Sequence, residues 1–252
     1  PAPRLRPVPP PRARPPPQER TEALRLAAVG GLIDRKDPVL AVETIAALLE
    51  RDVVADLTWV GSGPLRDRVL ERARELGVAD RVHLAGVQDA RGVSRVLAAG
   101  AIVVVPAPAG PGCGAAAAAA PRGAPARGHP PGVQAARGVG RVRADADMFF
   151  LPTRADNFCV SAAEALVHGR PVVVGATGGQ GEYIEPEVGS LVGVQDAGAY
   201  ADAILATDDR TRALDAAQIA GTIGDRFSPE AVQDGYAGAY RDALRTRGGT
   251  RR

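Results

Sequence analysis

ADMFFLPTRADNFCVSAAEALVHGRPVVVGATGGQGE, residues 146–182, decides the fold. It opens on an apolar run, ADMFFLPT, read as a strand. A polar loop leads into NFCVSAAEALVHG, read as a helix, and the apolar PVVVGAT returns as a second strand before a glycine-rich turn. Neither apolar run alternates with polar residues, so both strands are expected to be covered on both faces, as parallel strands between helix layers are.

The same rhythm extends in both directions. Upstream, LRLAAVGGLI from Leu24 reads as a buried strand. DPVLAVETIAALLER follows at helical spacing, with Val39, Val42, Ile45, Ala46 and Leu49 on one face and Pro38 in the first turn. DLTWVGSG is a strand, PLRDRVLERARELG a helix closed by Gly77, VHLAGV a strand and GVSRVLAAG a short helix. Downstream, GSLVGV is a strand, and DAGAYADAILAT, TRALDAAQIAGTI and SPEAVQDGYAGAYRDALRT are helices. Strands alternating with helices predict an α/β fold, a doubly wound, Rossmann-like parallel sheet.

Three stretches fall outside this pattern. Residues 1–22 are rich in Pro and Arg and are expected to be a disordered arm. The domain, 23–245, is interrupted at about 106–144 by Ala, Pro, Gly and Arg. That segment reads as a low-complexity insert, a decayed duplication or an out-of-frame stretch: Pro106, Cys113, Gly123, Pro125 and Gln134 echo Pro152, Cys159, Gly169, Pro171 and Gln180 at one offset. Residues 246–252 are expected to be a disordered tail.

Composition narrows the function. Of 252 residues, 45% are hydrophobic and 24% charged, as in ordinary globular proteins, and aromatics are only 4%, so the core must come from Ala, Val, Leu and Ile. The net charge of +2 comes from arginines in the arm, the middle segment and the last residues, which argues against nucleic acid as a partner. Cys113 and Cys159 make no disulfide framework, and His83, His129 and His168 are too dispersed for a metal motif. With no long apolar run and no apolar signal core, a reducing, cytoplasmic setting is expected. The chain starts at Pro1, which suggests a fragment or a processed product.

In an open parallel sheet, ligands bind beyond the carboxyl ends of the strands. Four turns lie there: VGG at 29–31 leading to Lys36, VGSGP at 60–64, LPTRADNF at 151–158 and GATGGQGE at 175–182. Glycine turns ahead of helices offer backbone N–H groups to an anion, although each would also serve as a plain tight turn. The phosphate-loop pattern G-x-x-x-x-G-K-[ST] is absent, and no G-x-G-x-x-G follows the first strand. Asp156 in a loop and Glu164 two turns into the next helix form a second cluster. Carboxylates so placed can accept hydrogen bonds from sugar hydroxyls and a ribose diol. They would equally suit a helix N-terminal acid and an exposed helix acid.

Taken in order, VGGLIDRK, LTWVGSGPL, LGVADRVHLAG, ADMFFLPT, the E-x7-E-like pair, EALVHGRPVVV, GATGGQGEYI and the closing FSPEAVQDGYAGAY resemble the C-terminal donor-binding domain of retaining GT-B glycosyltransferases of family 4 (group 1). The resemblance covers residues 24–245 apart from the middle segment. It implies that Lys36 neutralises the donor diphosphate, that Asp156 contacts the donor sugar and that Glu164 holds the ribose; these three are the implied catalytic residues. It places Gly30, Gly31, Arg35, Phe158, Cys159, Val160, Gly178, Gly179 and Glu182 around the sugar-diphosphate, and Gly61 and Gly63 beside the base. Gly31 stands where the family usually has Arg, with Arg35 nearby as a substitute. Asp156 is one methylene shorter than the usual Glu, and Cys159 replaces the usual Gly.

The resemblance further implies a UDP-, GDP- or ADP-sugar donor, no cofactor and no metal. It implies transfer to the hydroxyl of a sugar, lipid-linked or small-molecule acceptor, with polysaccharide or glycolipid assembly and peripheral association at the inner face of the membrane as the setting. An acceptor-binding half should precede Leu24, where only the Pro/Arg arm stands, so this chain is expected to lack it. Two other readings stay open: a non-catalytic nucleotide-sugar-binding module or relic, and another GT-B enzyme such as a nucleotide-sugar epimerase.

Overall fold

The computed structural model describes residues 23–88 and 146–248. The expectations for 1–22, for the helix at GVSRVLAAG, for 106–144 and for 249–252 lie outside the described residues.

Six strands form one parallel sheet: β1 (Leu24–Val29), β2 (Ala55–Val60), β3 (Val82–Gly86), β4 (Met148–Leu151), β5 (Val172–Gly175) and β6 (Gly189–Val192). Their order is β3-β2-β1-β4-β5-β6, so the winding direction reverses between β1 and β4. The six described helices are α1 (Pro38–Leu49), α2 (Arg66–Glu75), α3 (Val160–Val167), α4 (Ala197–Thr211), α5 (Ala216–Ile223) and α6 (Pro229–Gly248). Helix α1 packs between α2 and α4 on one side of the sheet, and α3 packs on α5 on the other. The doubly wound α/β expectation holds among the described residues.

The core lies where the helix layers close on the middle strands. All four β4 residues, and Val172, Val173 and Val174 of β5, are fully buried. At the amino end of the sheet, Arg25 binds both carboxylate oxygens of Asp147 at 3.1 and 2.9 Å and ties β1 to β4.

Local signals set most boundaries. Pro38 sits in the first turn of α1, whose N-cap Asp37 accepts a hydrogen bond from the Leu40 N–H at 3.3 Å. Gly77 has φ +68°, the left-handed conformation expected of a residue that closes a helix.

Three expectations need correction. The buried face of α1 is not Val39, Val42, Ile45, Ala46 and Leu49: Leu49 is exposed, while Leu40, Ala41, Val42, Thr44, Ile45, Ala47 and Leu48 are buried. A helix covered by the sheet below and by neighbours on both flanks buries a wide arc, which the single stripe missed. The helix expected from Thr211 starts at Ala216, because Asp215 and Gln218 form a reciprocal capping box there. The last helix runs to Gly248, beyond the expected domain edge at 245.

Candidate functional site

The turns after β1, β2, β4 and β5 meet at the carboxyl edge of the sheet. The turn after β1 closes as a single 3-10 turn, Asp34–Lys36. It is stitched to the turn after β4: the Arg35 carbonyl accepts from the Thr153 hydroxyl at 3.0 Å and from the Arg154 N–H at 2.8 Å. The Ser161 hydroxyl in the first turn of α3 donates to the Val29 carbonyl at 3.4 Å, so α3 begins against the end of β1.

This stitching brings Lys36 and Asp156 together. The Lys36 ammonium donates to Asp156 Oδ2 in a salt bridge whose two side chains are each 12% exposed. Asp156 Oδ1 turns the other way and accepts from the backbone N–H groups of Cys159 at 3.0 Å and Phe158 at 3.4 Å. Burial works to raise the Asp156 carboxyl. The Lys36 hydrogen bond and charge, with the two N–H donors, outweigh it and hold the group below the usual carboxylate range. Arg35 adds a second cation to the same loop, donating to the Ala155 carbonyl at 3.3 Å.

Glu164 stands apart from this network. It is half-buried on α3, and its carboxylate has no hydrogen-bond partner among the described residues. Burial alone pushes its carboxyl up to about 7.

The glycines bring backbones close. A Cβ on Gly178 would fall 2.0 Å from the Asp156 carbonyl oxygen, so the turn after β5 lies directly on the turn after β4. Gly179 donates to the Asn157 carbonyl at 2.7 Å, and the Glu182 carboxylate lies beside Gly179. Gly61 has φ +141°, and a Cβ there would meet the Gly30 carbonyl oxygen at 1.9 Å; one on Gly63 would meet that of Leu32 at 2.3 Å. Gly30 packs against the Lys36 side chain, and Gly31 against the Ser62 carbonyl.

Cys159 is the N-cap of α3 in left-handed conformation, φ 58°, ψ 63°, and caps with no side-chain hydrogen bond. Its thiol is buried and pushed up to about 11, chiefly by burial and next by the Asp156 charge, so it is no nucleophile at neutral pH. Val160 opens α3 with its side chain largely in solvent. A cavity of about 440 Å³ lies beside these turns, lined by Asp37, Leu40, Glu43, Arg68, Arg154 and Gln195 among others; Lys36, Asp156 and Glu164 do not line it.

Two supports were not anticipated. The Tyr183 hydroxyl lies 2.7 Å from the Phe158 carbonyl and 2.9 Å from that of Cys159, and its ring stacks with Phe158 and Phe227. It thereby holds the backbone between Asp156 and α3. The Trp59 indole N–H donates to the Gly30 carbonyl at 2.8 Å and fixes the first turn. Trp59 is a single aromatic in an apolar strand and Tyr183 a single aromatic in a glycine-rich turn, and periodicity carries no sign of an indole or hydroxyl partner.

The profile of the family described as glycosyl transferases group 1 matches residues 23–125 and 128–207. The chain belongs to this family. Solved structures agree on the fold. An apo lipopolysaccharide outer core galactosyltransferase, WaaB, superposes with a TM-score of 0.61 at 17% identity over 90% of this chain. HepE of Anabaena, in complex with UDP and glucose, gives 0.59 at 16% identity over 87%. Sucrose-phosphate synthase of Thermosynechococcus elongatus gives 0.54 at 23% identity over 88%. This group 1 glycosyltransferase chain spans 52%, 48% and 46% of those three, and its sheet matches one half of a GT-B architecture. No curated protein sequence matches it significantly. No described helix is long and apolar enough to cross a membrane.

Proposed function

We propose that this chain is the C-terminal, donor-binding domain of a retaining family 4 glycosyltransferase and that it binds a nucleotide-activated sugar at the carboxyl edge of its sheet. One observation carries the reading: Lys36 and Asp156, far apart in sequence, meet where the strand order reverses, the place at which open α/β sheets bind ligands. In transfer, the bond between the anomeric carbon and the phosphate oxygen breaks, its electrons go to the diphosphate, and the acceptor oxygen bonds the anomeric carbon as its hydroxyl proton passes to the departing phosphate oxygen. Lys36 counters the charge that builds on the diphosphate, with Arg35 as the second cation in place of the arginine that Gly31 replaces. Asp156 takes a sugar hydroxyl, and Glu164 takes the ribose diol with both oxygens. Gly178, Gly179 and Glu182 border the sugar-diphosphate, and Gly61 and Gly63, whose missing side chains let the turns pack backbone to backbone, lie beside the base. The backbone of Phe158, Cys159 and Val160 faces the phosphates. UDP is the first nucleotide to test, since HepE was solved with it.

A second reading, a nucleotide-sugar-binding module without turnover, is favoured by the Lys36–Asp156 pair itself. The cation meant for the donor is already neutralised, and binding must first separate the pair.

Calorimetric titration of the chain with UDP, GDP and ADP, beside a Glu164→Ala variant, tests the site. A carboxylate bonded to two hydroxyls contributes about 1.5–3 kcal/mol, so the variant should lose at least about tenfold in affinity for its preferred nucleotide. A folded chain that binds none of the three, or a variant that binds as tightly as the parent, sinks the donor-site assignment.

A further inference from the structure

We propose, on the donor-site reading above, that the Lys36–Asp156 salt bridge makes this site select sugar nucleotides over the bare nucleoside diphosphate that transfer leaves behind. The diphosphate draws the Lys36 ammonium away, and only an intact donor brings a hydroxyl to replace it at Asp156. The two partners differ in their freedom to move. Asp156 is held at both ends. Its Oδ1 accepts from the N–H groups of Cys159 and Phe158, at 3.0 and 3.4 Å. Its carbonyl oxygen lies under Gly178, where even a Cβ would fall at 2.0 Å. Lys36 is held at its tip. Asp156 Oδ2 is the one hydrogen-bond partner of its ammonium among the described residues. Its methylenes lie over Gly30, where a Cβ would stand 3.6–3.7 Å from them, and a lysine stem of this kind swings readily. When an anion arrives, the ammonium leaves and the carboxylate stays.

What stays behind is costly. The Asp156 side chain is only 12% exposed, so little water can take the place of the ammonium at Oδ2. Burial is the strongest influence on this carboxyl and works to raise it, and Lys36 is chief among the groups that hold it low. Removing one partner of such a pair leaves a poorly compensated charge. A sugar hydroxyl donating to Oδ2 relieves that cost, and a bare diphosphate brings no sugar hydroxyl there. Selection thus rests on an unpaired charge left against the wrong ligand as well as on contacts to the right one. After transfer the sugar is gone, and reclosing of the pair favours release of the nucleotide.

Calorimetric titration of the whole chain with UDP, GDP and ADP, and with UDP-glucose, GDP-mannose and ADP-glucose, tests this in the parent, Asp156→Asn, Lys36→Gln and the double variant. Asparagine keeps an oxygen for the Cys159 and Phe158 N–H groups, and glutamine keeps a donor for Asp156, so each variant should retain the parent circular dichroism spectrum. Asp156→Asn should bind the preferred bare nucleotide at least about tenfold tighter than the parent, since its ammonium is already released. Affinity for the matching sugar nucleotide should rise less, so the advantage of the sugar nucleotide shrinks by about tenfold. The gain should depend on the lysine: Asp156→Asn should add much less in the Lys36→Gln background than in the parent. An equal gain in both backgrounds would mean that Asp156 acts only as a repelling charge, and overturns the exchange. Equal affinities of parent and Asp156→Asn for the bare nucleotide overturn it too, as does an unchanged preference between bare and sugar nucleotide; in each case the donor site itself stands. If none of the four folded proteins binds any of the six ligands, the donor-site reading falls and this proposal with it.

Discussion

Two carboxylates eight residues apart, Asp156 before α3 and Glu164 within it, are held in opposite electrostatic states. Asp156 loses little by ionising, because an ammonium and two backbone N–H groups meet its two oxygens. Glu164 has no such partner and is held toward its neutral form by burial. The sign of the consequence follows. A carboxyl raised to about 7 in the fold, from an ordinary 4.5, keeps its proton where the unfolded chain has lost it. The fold therefore binds more protons than the unfolded chain between those values, and stability falls as pH rises through that window. The loss between pH 5 and 7.5 should be about 2 kcal/mol. Urea denaturation at those two pH values should show it in the parent and not in Glu164→Gln, whose side chain has no proton to release. An equal fall in both proteins would place the linkage on another group. Asp156 acts in the opposite sense: its stabilisation is complete above the ordinary carboxylate range and drains away only as acid protonates it.

At the scale of elements, the site depends on how closely two turns approach. The turn after β5 presses on the turn after β4 at Gly178, whose absent Cβ would fall 2.0 Å from the Asp156 carbonyl oxygen and 2.7 Å from that of Asn157. Both contacts are backbone, so neither can swing aside. Gly178→Ala should cost about 1–3 kcal/mol, the range for overpacking, read as a lower urea midpoint. Gly181→Ala is the control, since its Cβ would touch only the Leu191 side chain, at an ordinary 3.5 Å. Equal midpoints for the two variants would mean the turns do not press together. The glycines of this loop were visible in the sequence, and so were the apolar runs that became β1, β2, β4 and β5. The contact partners were not, because a turn's own residues do not say which other turn it meets. Lys36 meets Asp156 only because β4 pairs with β1, and strand order is a property of the whole sheet. The face of α1 was misread for a related reason: its burial is set by α2 and α4, which come later in the chain. Tyr183 was missed because one hydroxyl bridging two carbonyls leaves no pattern.

At the scale of the whole molecule, the reversal of strand order makes one demand on the chain. β3 lies at one edge of the sheet and β4 beside β1, parallel to it, so the chain between them joins two strands that are not neighbours. A parallel crossover needs about a dozen residues or more. Removal of residues 101–145 leaves roughly that many between Gly86 and Met148, so the topology remains reachable. The excised stretch supplies neither Lys36, Asp156 nor Glu164, and no side chain of the core around β4 and β5 named above. Closing a loop roughly four times shorter lowers the entropy cost of folding by about 1 kcal/mol, since each doubling of length costs about 0.6 kcal/mol. The shortened chain should therefore melt in one sharper transition, a few degrees higher than the parent, with the same nucleotide affinity. Broadened melting, or loss of the folded state, would show that residues within 101–145 contribute packing to this half of the sheet. Unchanged melting with lost nucleotide binding would place part of the site in that segment.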